Sequence, residues 1–396
     1  MAFIPYGHQH IEQEDISAVI EALKSDWLTQ GPSVTTFEEK ISAYCGTKHA
    51  IAVCNATAAL HLAYLVLELG LGDILWTTPN TFVATANAAL HCGANVDFVD
   101  IDPKTYNMCS LALADKLKKA AKIGKLPKIV VPVHFAGQSC DMQRIKKLAD
   151  QYDFKIVEDA SHAIGGCYKA MPIGNCQYSD ITIFSFHPVK IITTGEGGMA
   201  VTNNLELARK MQALRSHGIT RDESIMSEQS HGNWYYQQIY LGFNYRITDM
   251  QCALGLSQLR KIDQFVQRRN ILAERYHDFL SRLPLVLPKI LPYNYSSYHL
   301  YVIQIDSAQT NISRKKLFDH LREANIGVNV HYIPIHLQPY YRRFGFQKGD
   351  FPIAEAYYQH TITLPLYYGL SESYQDFIVQ QLKLGIRHGN TCHFTS

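Results

Sequence analysis

The sequence predicts an α/β protein in which helices cover both faces of a mostly parallel sheet, followed by a smaller α+β domain. Three observations support this fold class. Short apolar segments alternate with helical patterns before residue 205, and this pattern changes near residue 245. The 396 residues also exceed the roughly 100–200 residues of a typical domain. We therefore predict a large domain over residues 1–247, and a connecting helix with a small domain over residues 248–396.

The elements of the large domain can be predicted one by one. Short apolar runs bounded by turn residues are typical of buried strands, whereas apolar positions three and four apart are typical of helices. Ligands of such sheets bind at the carboxyl ends of the strands. The predicted strands are residues 49–54, 73–78, 95–100, 128–135, 154–160 and 180–185, and the predicted helices are residues 57–69, residues 81–92 and one that begins after Asp141.

The second part begins with a capping box, in which Thr248 is followed three residues later by Gln251. Apolar residues at helical spacing then predict one long helix leaving the large domain. Beyond it we predict a strand at residues 299–305, a helix from Ser313 to about Asn325, and a strand at residues 328–333. The polar tail, residues 387–396, predicts a poorly ordered terminus.

Composition excludes several classes of function. The 37 basic and 35 acidic residues leave a net charge of +2 without a basic stripe, so nucleic acid is not an expected partner. The most apolar window, residues 58–76, contains His61, Glu68 and Asp73, which a membrane span tolerates poorly. Nine cysteines without a C-x-x-C pair, and an amino terminus unlike a secretory signal, predict reduced thiols and a cytoplasmic location.

A candidate site begins with Lys190, which lies in the segment SFHPVKIITTGEGG, residues 185–198, without a charged neighbour that would pair with it. The strand at residues 154–160 ends in Glu158 and Asp159, and it should deliver one of these acids to the ligand-binding edge of the sheet. Pyridoxal phosphate needs a lysine for its Schiff base, a carboxylate for its ring nitrogen and a cradle for its phosphate. The sequence therefore predicts a site for this cofactor.

The phosphate cradle would be the start of the helix at Ala56 and Thr57, where free N–H groups favour an anion. Ser185 would add a hydroxyl from a neighbouring strand. The glycine motifs of ATP-binding and dinucleotide-binding folds are missing from the sequence. Each feature alone also fits a solvated lysine, an acidic helix cap or a core helix, and only their joint occurrence favours the cofactor.

Seven motifs together resemble the sugar-nucleotide aminotransferases of the DegT/StrS type, and the resemblance covers nearly the whole chain. These enzymes are fold-type I, aspartate aminotransferase-like transferases that depend on pyridoxal phosphate. The motifs are DWLTQGP, NATAALHLA, TFVATANA, VEDASHAIGG, SFHPVKIITTGEGG, RSHGI and NYRITDMQCALGLSQL.

The resemblance implies roles for the cofactor-binding residues. Lys190 would form the Schiff base and carry the proton, Asp159 would pair with the ring nitrogen, and Phe82 would stack on the ring. His162 stands where many relatives have a glutamine near the phenolic oxygen of the cofactor, so a purely structural histidine stays an alternative. The phosphate would be held by Ala56, Thr57 and Ser185, and by Asn244 of a second subunit, so the active sites would be shared across a homodimer.

The resemblance also implies a substrate. Residues 327–346 and the amino-terminal segment resemble the members that serve pseudaminic acid biosynthesis and flagellin glycosylation. Such a member transfers the amino group of L-glutamate to carbon 4 of UDP-2-acetamido-2,6-dideoxy-β-L-arabino-hex-4-ulose. The substrate-contacting residues would be Tyr6, Asp26, Trp27, Leu28, Thr29, Arg246, His331, Tyr332, Ile333 and Pro334.

Alternatives stay open at this point. One alternative is action on a different keto-sugar nucleotide, and another is binding of such a nucleotide without catalysis. For Tyr332 and its neighbours, the alternative is that they only pack the domain interface. Dehydratase relatives carry histidine in place of the lysine, and Lys190 argues against that reaction. No metal is expected, because His331 and His336 lie five residues apart in a non-helical segment and lack further ligands nearby.

Overall fold

The computed structural model describes residues 2–391, with side chains described through residue 387. The helices are α1 (Gln13–Lys24), α2 (Pro32–Cys45), α3 (Ala56–Val66), α4 (Ala84–His91), α5 (Ser110–Lys122), α6 (Met142–Tyr152), α7 (Leu205–Arg215), α8 (Asp249–Leu259), α9 (Ile262–Leu280), α10 (Arg314–Glu323), α11 (Pro339–Arg342), α12 (Pro352–His360) and α13 (Glu372–Thr391). The strands are β1 (His49–Val53), β2 (Ile74–Thr77), β3 (Asn95–Phe98), β4 (Ile129–Val130), β5 (Lys155–Asp159), β6 (Cys167–Tyr168), β7 (Met171–Pro172), β8 (Ile181–Ser185), β9 (Gly198–Thr202), β10 (Ile219–Thr220), β11 (Gln237–Gln238), β12 (Leu285–Val286), β13 (Asn294–Tyr295), β14 (Tyr301–Ile305) and β15 (Thr361–Leu364).

The central sheet has seven strands in the order β1-β9-β8-β5-β4-β2-β3. β9 is antiparallel to β1 and β8, and the other neighbouring pairs are parallel. This confirms the predicted α/β fold. Because β1, β5 and β8 run in the same direction, their carboxyl ends meet at one edge of the sheet. β9 begins at that same edge.

Helices cover both faces of the sheet. Side chains of successive strand residues point to opposite sides, so a strand that is apolar at every position needs helices packed on both faces. In β8, Ile181 and Ile183 lie in a buried cluster with the apolar residues of α3, whereas Phe184 lies in a second buried cluster with Phe37 of α2. These strands read as continuous apolar runs in the sequence because both of their faces are buried.

The predicted long helix is wrong, because it is interrupted between α8 and α9. The predicted capping box is present at its start. Lys261 leaves the helical conformation (φ −108°, ψ 2°), and its Nζ atom lies 2.9 Å from a carboxylate oxygen of Glu12 and 2.8 Å from one of Asp15. The amino-terminal segment therefore anchors the break, a long-range contact that helical periodicity does not reveal. α9 then packs its first turns in the core beside the large sheet and its last turns in the carboxyl-terminal core.

The carboxyl-terminal core contains the three-stranded sheet β12-β14-β15 packed with α9, α10 and α13. The amino-terminal segment joins this core through Ile4, which is 1% exposed and exchanges backbone hydrogen bonds with Asn325 and Gly327. The domain limit at residues 247/248 stays a prediction. The predicted large domain, residues 1–247, includes the amino-terminal segment, although Ile4 of this segment packs in the carboxyl-terminal core.

The predicted strand at residues 328–333 is wrong. Only Asn329 pairs with a strand, in an isolated bridge to Thr363. The Tyr332 N–H instead donates to the side-chain oxygen of Asn80, at 3.1 Å, so a side-chain bond replaces the ladder of a strand. The predicted strand at residues 128–135 is also shorter than expected, since it contains Pro132, which has no N–H to donate.

The last helix continues to Thr391, so the part of the predicted poorly ordered tail up to that residue is helical. Residues 392–396 of that tail lie outside the described residues. Within the described residues, no helix combines the length and the apolar character that crossing a membrane requires.

Candidate active site

A cavity of about 600 Å³ lies at the sheet edge where β1, β5 and β8 end, and residues 329–332 line its other side. The sequence predicts polar residues at this edge of the sheet. In the structure, ten of the predicted site residues line the cavity. They are Tyr6, Ala56, Thr57, Phe82, Asp159, His162, Ser185, Lys190, His331 and Tyr332.

Eight predicted site residues do not line this cavity within the single chain. They are Asp26, Trp27, Leu28, Thr29, Asn244, Arg246, Ile333 and Pro334. The first four follow α1 and are exposed, as are Asn244 and Ile333. Arg246 pairs through its backbone with Val53. Their predicted contacts with ligand stay predictions.

Lys190 lies in the loop between β8 and β9, which the threonines of the motif hold in a compact turn. Thr193 donates from its hydroxyl to the carbonyl oxygen of Phe186, at 2.9 Å, and the Lys190 N–H donates to the carbonyl of His187, at 2.9 Å. Burial lowers the pKa of Lys190 to about 8, and Asp159 acts in the opposite direction. About one-tenth of this amine is therefore neutral at pH 7, a far larger fraction than for an exposed lysine.

Asp159 is the acid that β5 delivers to the cavity. Its carboxylate is 5% exposed, and it accepts hydrogen bonds from the Thr85 hydroxyl at 2.7 Å and from the Ser161 N–H at 3.1 Å. Thr85 is in turn 2.9 Å from the hydroxyl of Thr81. These contacts hold the carboxylate in one orientation at the end of the strand.

Glu158, the other acid of the pair, points to the opposite face, as the alternation of a strand requires. It accepts hydrogen bonds from His134 at 2.6 Å, Ser179 at 2.5 Å and Thr182 at 3.1 Å. Burial raises the pKa of Glu158, but these hydrogen bonds outweigh it and hold the pKa below its usual value. Glu158 therefore organises the protein interior and does not face the cavity.

The cradle forms where α3 begins. Asn55 caps the helix, because its side-chain oxygen accepts from the Ala58 N–H at 2.9 Å. The N–H groups of Ala56 and Thr57 have no carbonyl acceptor within the helix, because they belong to its first turn. Both residues line the cavity. Ser185 lines the cavity beside them. The start of α3 is thus suited to bind an anion.

His162 and Tyr332 form a hydrogen-bonded pair in the cavity. The Ala136 N–H donates to Nδ1 of His162, at 3.3 Å, so the ring proton resides on Nε2, which is 3.1 Å from the Tyr332 oxygen. Burial lowers the pKa of His162 well below its usual value, with a further contribution from Lys190, so the ring is neutral. His162 therefore donates to Tyr332 and leaves the tyrosine hydroxyl proton available to a ligand.

Sequence reasoning missed Thr85 and His299. Thr85 lies in the motif TFVATANA but has no local partner there, and the sequence marks His299 only as the first residue of a predicted strand. The Nε2 atom of His299 is 3.5 Å from Nζ of Lys190, across 109 residues of sequence. A histidine at the start of an apolar strand predicts a buried polar group, but the sequence does not predict which residue contacts it.

A buried carboxylate, a lysine of lowered pKa and a helix start with free N–H groups meet in one cavity. This combination fits pyridoxal phosphate, whose aldehyde, ring nitrogen and phosphate require these three groups. The residues that would hold it are Lys190, Asp159, Ala56, Thr57 and Ser185, with Phe82 at the opening, 60% exposed. Fold and site together define a pyridoxal-phosphate-dependent aminotransferase of the α/β class.

Comparison with known proteins identifies the family. The model of the DegT/DnrJ/EryC1/StrS aminotransferase family matches residues 9–383, and the chain therefore belongs to this family of sugar aminotransferases. This confirms the resemblance drawn from the motifs.

Two curated relatives are each 40% identical to the chain. One is the spore coat polysaccharide biosynthesis protein SpsC of Bacillus subtilis, over 96% of both chains. The other is the UDP-4-amino-4,6-dideoxy-N-acetyl-beta-L-altrosamine transaminase of Campylobacter jejuni, over 91% of this chain and 92% of the relative. A solved structure, the putative sugar aminotransferase Spr1654 from Streptococcus pneumoniae in its PMP form, superposes with a TM-score of 0.89 at 30% identity, covering 97% of this chain and 99% of that one.

Gly198 provides a test of the cradle. A Cβ atom at this position would lie 2.5 Å from the carbonyl carbon of Asn55 and 2.6 Å from the nitrogen of Ala56. We expect Gly198→Ala to displace the first turn of α3, at a cost of about 1–3 kcal/mol of overpacking, and to weaken cofactor binding at least tenfold. Titration of the cofactor-free protein, followed by visible absorbance, measures this affinity.

The matched control is Gly70→Ala, because a Cβ atom there has no heavy atom within 4 Å. That variant should bind the cofactor as the unmodified protein does. A folded Gly198→Ala protein with unchanged cofactor affinity would show that the start of α3 is not the cradle.

Proposed function

We propose that this aminotransferase moves the amino group of L-glutamate to carbon 4 of UDP-2-acetamido-2,6-dideoxy-β-L-arabino-hex-4-ulose. The products are UDP-4-amino-4,6-dideoxy-N-acetyl-β-L-altrosamine, a precursor of pseudaminic acid, and 2-oxoglutarate. The observation that carries amino transfer is the position of Lys190 in one cavity with the buried Asp159 carboxylate and the start of α3. The choice of sugar is supported by the Campylobacter jejuni transaminase at 40% identity.

A different keto-sugar nucleotide is the second candidate, since SpsC, which is named for spore coat polysaccharide biosynthesis, has the same 40% identity to the chain. A non-catalytic relative is disfavoured, because burial that lowers the pKa of Lys190 to about 8 costs free energy that a mere binding protein has no reason to retain.

Pyridoxal phosphate, held by Lys190, Asp159 and the start of α3, would supply an electron sink and a carrier for the amino group. The protein supplies the proton transfers. As a neutral amine, Lys190 removes the α-proton of glutamate, and in the second half of the cycle it delivers a proton to carbon 4 of the sugar. Its pKa of about 8 suits both directions, because the amine can bind and release a proton near neutral pH. Asp159, as a carboxylate, would keep the ring nitrogen of the bound cofactor protonated.

Substrate orientation falls to groups on the far side of the cavity. The Tyr332 hydroxyl, which accepts from His162, would donate to an oxygen of cofactor or sugar. The ring of Phe82 lies 6.4 Å from that of Tyr332, and the ring of Tyr6 lies 5.3 Å from that of His331. These four rings line the cavity together and offer apolar faces against which a sugar can pack.

A homodimer with shared active sites is part of this proposal. Asn244 is exposed in the single chain, and exposed apolar side chains of the preceding segment support a contact with a second subunit. These side chains are Ile225, Trp234, Tyr236 and Leu241, between 51% and 85% exposed. Asn244 of the partner would then complete the phosphate site.

We further propose a cytoplasmic location, which the eight described cysteines support, since all are free thiols.

Mixing two inactive variants tests the shared site. Lys190→Ala and Asn244→Asp should each lose activity, and hybrid dimers of the two should regain it at one site, which would combine the intact Lys190 of one subunit with the intact Asn244 of the other. Turnover is measured after co-refolding or subunit exchange, with each variant alone as the control. Failure to regain activity in hybrids that demonstrably form would exclude Asn244 as a residue of the partner's site.

The direct experiment on the proposed reaction is an absorbance spectrum between about 300 and 500 nm. A visible band should disappear when L-glutamate is added and return when UDP-2-acetamido-2,6-dideoxy-β-L-arabino-hex-4-ulose follows. The control is a UDP-4-keto sugar with a pentose ring, which should restore the band poorly. A response to glutamate without any response to the proposed sugar would retain the aminotransferase and reject the substrate.

A further inference from the structure

We propose that His299 is a positioning residue for Lys190: its Nε2 atom accepts a hydrogen bond from the lysine amino group whenever that group is not bonded to the cofactor. The inference rests on the proposed function, in which Lys190 carries the proton between donor and sugar. His299 lies outside the motifs that define the candidate site, and it contributes to the cavity only through Lys190 and His162.

The contact between these two residues is the first observation. Nζ of Lys190 and Nε2 of His299 are 3.5 Å apart, at the outer limit of a hydrogen bond. The His299 side chain is buried, at 4% exposure, and within the described part of the chain its Nδ1 atom has no hydrogen-bond partner. Burying a polar ring with one nitrogen unpaired costs free energy. Among the described residues, the one polar contact of this ring is therefore with Lys190, as expected for a functional group.

The backbone around His299 is fixed by its neighbours. Arg269 is 2% exposed, and its guanidinium donates to the carbonyl oxygens of Tyr298, His299 and Leu366 at 3.3, 3.4 and 2.9 Å. Gly137 (φ +106°) approaches from the other side, where a Cβ atom would lie 3.1 Å from the His299 nitrogen. A side chain on a backbone held from both sides keeps its position while the lysine moves.

The imidazole is an acceptor because it is neutral. Burial lowers the pKa of His299 well below its usual value, and Lys190, His162, Arg269 and His331 act in the same direction. The ring of His162, also neutral, lies against it with centroids 4.4 Å apart. The titratable groups that share the cavity with Lys190 are Tyr6, Asp159, His162, His187, Glu196, His331 and Tyr332.

A fixed acceptor orients the amino group of Lys190 when this group is not bonded to the cofactor. After Lys190 has taken a proton it carries three N–H bonds, and one of them donated to His299 restricts where the other two point. The proton can then be returned to the reacting carbon without a search through rotamers, which is the benefit of pre-organised geometry. His299 does not itself gain or lose a proton in this role.

The test measures the pKa of Lys190 in the cofactor-free protein. The protein is labelled with a trace of acetic anhydride across a pH series, and the Lys190 peptide is quantified by mass spectrometry. Only the neutral amine reacts, so labelling rises with pH, with a midpoint near 8 in the unmodified protein. Removing the acceptor destabilises the ammonium form, so the midpoint should fall by about one pH unit in His299→Leu.

Two further variants separate positioning from structure. His299→Gln keeps a carbonyl acceptor that can reach Lys190 and should restore the midpoint, whereas His299→Asn is polar but too short and should behave as His299→Leu. His61→Leu removes another buried histidine, 7% exposed, that contacts Tyr245 rather than Lys190, and it should leave the midpoint unchanged. Circular dichroism verifies folding, and His299→Asn carries the test if His299→Leu does not fold.

An unchanged midpoint in folded His299→Leu or His299→Asn would overturn the proposal. Failure of the proposed function is seen separately, by reducing the cofactor-loaded protein with borohydride and mapping the modified residue. If the cofactor is found on a lysine other than Lys190, the proposed role of Lys190 fails whatever the midpoint does.

Discussion

Replacement of Lys190 by alanine should reduce amino transfer by at least about 10⁴-fold and remove the visible band that depends on covalent attachment of the cofactor. The reason is that one amine performs two tasks, attachment and proton transfer, and no other lysine lines the cavity formed by the described residues. Noncovalent binding should persist, because Asp159 and the start of α3 are intact. Borohydride reduction followed by mass spectrometry, together with turnover of glutamate, measures both losses.

The control for Lys190→Ala is Lys118→Ala, a lysine with a 68% exposed side chain on α5 that makes only a loose ion pair, 3.8 Å from Asp115. It should retain full turnover and the visible band. Lys190→Arg is a second control, since it keeps a positive charge but cannot attach the cofactor or exchange a proton near neutral pH. Turnover retained in Lys190→Ala would remove this lysine from the mechanism.

Asp159→Asn should lower turnover by about 10²–10³-fold while leaving the fold intact. The amide is nearly the same size as the carboxylate and can still accept from the Ser161 N–H, so packing at the end of β5 is preserved. What is lost is the negative charge that keeps a proton on the ring nitrogen, and without it the cofactor is a weaker electron sink. Single-turnover spectra with glutamate measure the step affected.

A graded comparison checks the cause of that loss. Thr85→Val removes the hydroxyl that donates to Asp159 at 2.7 Å but keeps the charge, so we expect a smaller effect, about tenfold. Glu158→Gln alters the other acid of the pair, which faces His134, and should affect stability more than turnover. If Asp159→Asn were as active as the unmodified protein, the ring nitrogen would need a different partner.

The sequence by itself determined the order of the catalytic groups. Asp159 and Ser185 lie at the carboxyl ends of predicted strands, Lys190 and the Ala56–Thr57 helix start follow such strands, and the carboxyl ends of parallel strands meet at one edge. Short continuous apolar runs predict such strands, because each strand is buried on both faces. The alternation of side chains within β5 then requires that only one of Glu158 and Asp159 face the cavity, but it does not say which one.

The tertiary structure alone decided the contacts between distant segments. The choice of Asp159 depends on which face of β5 meets α4, the break before α9 depends on Glu12 and Asp15, and the turn at Tyr332 depends on Asn80. His299 reaches Lys190 only because the carboxyl-terminal part packs over the sheet edge. Periodicity is a local property of the chain, within a few residues, whereas these contacts join segments that only the packing of the whole molecule brings together.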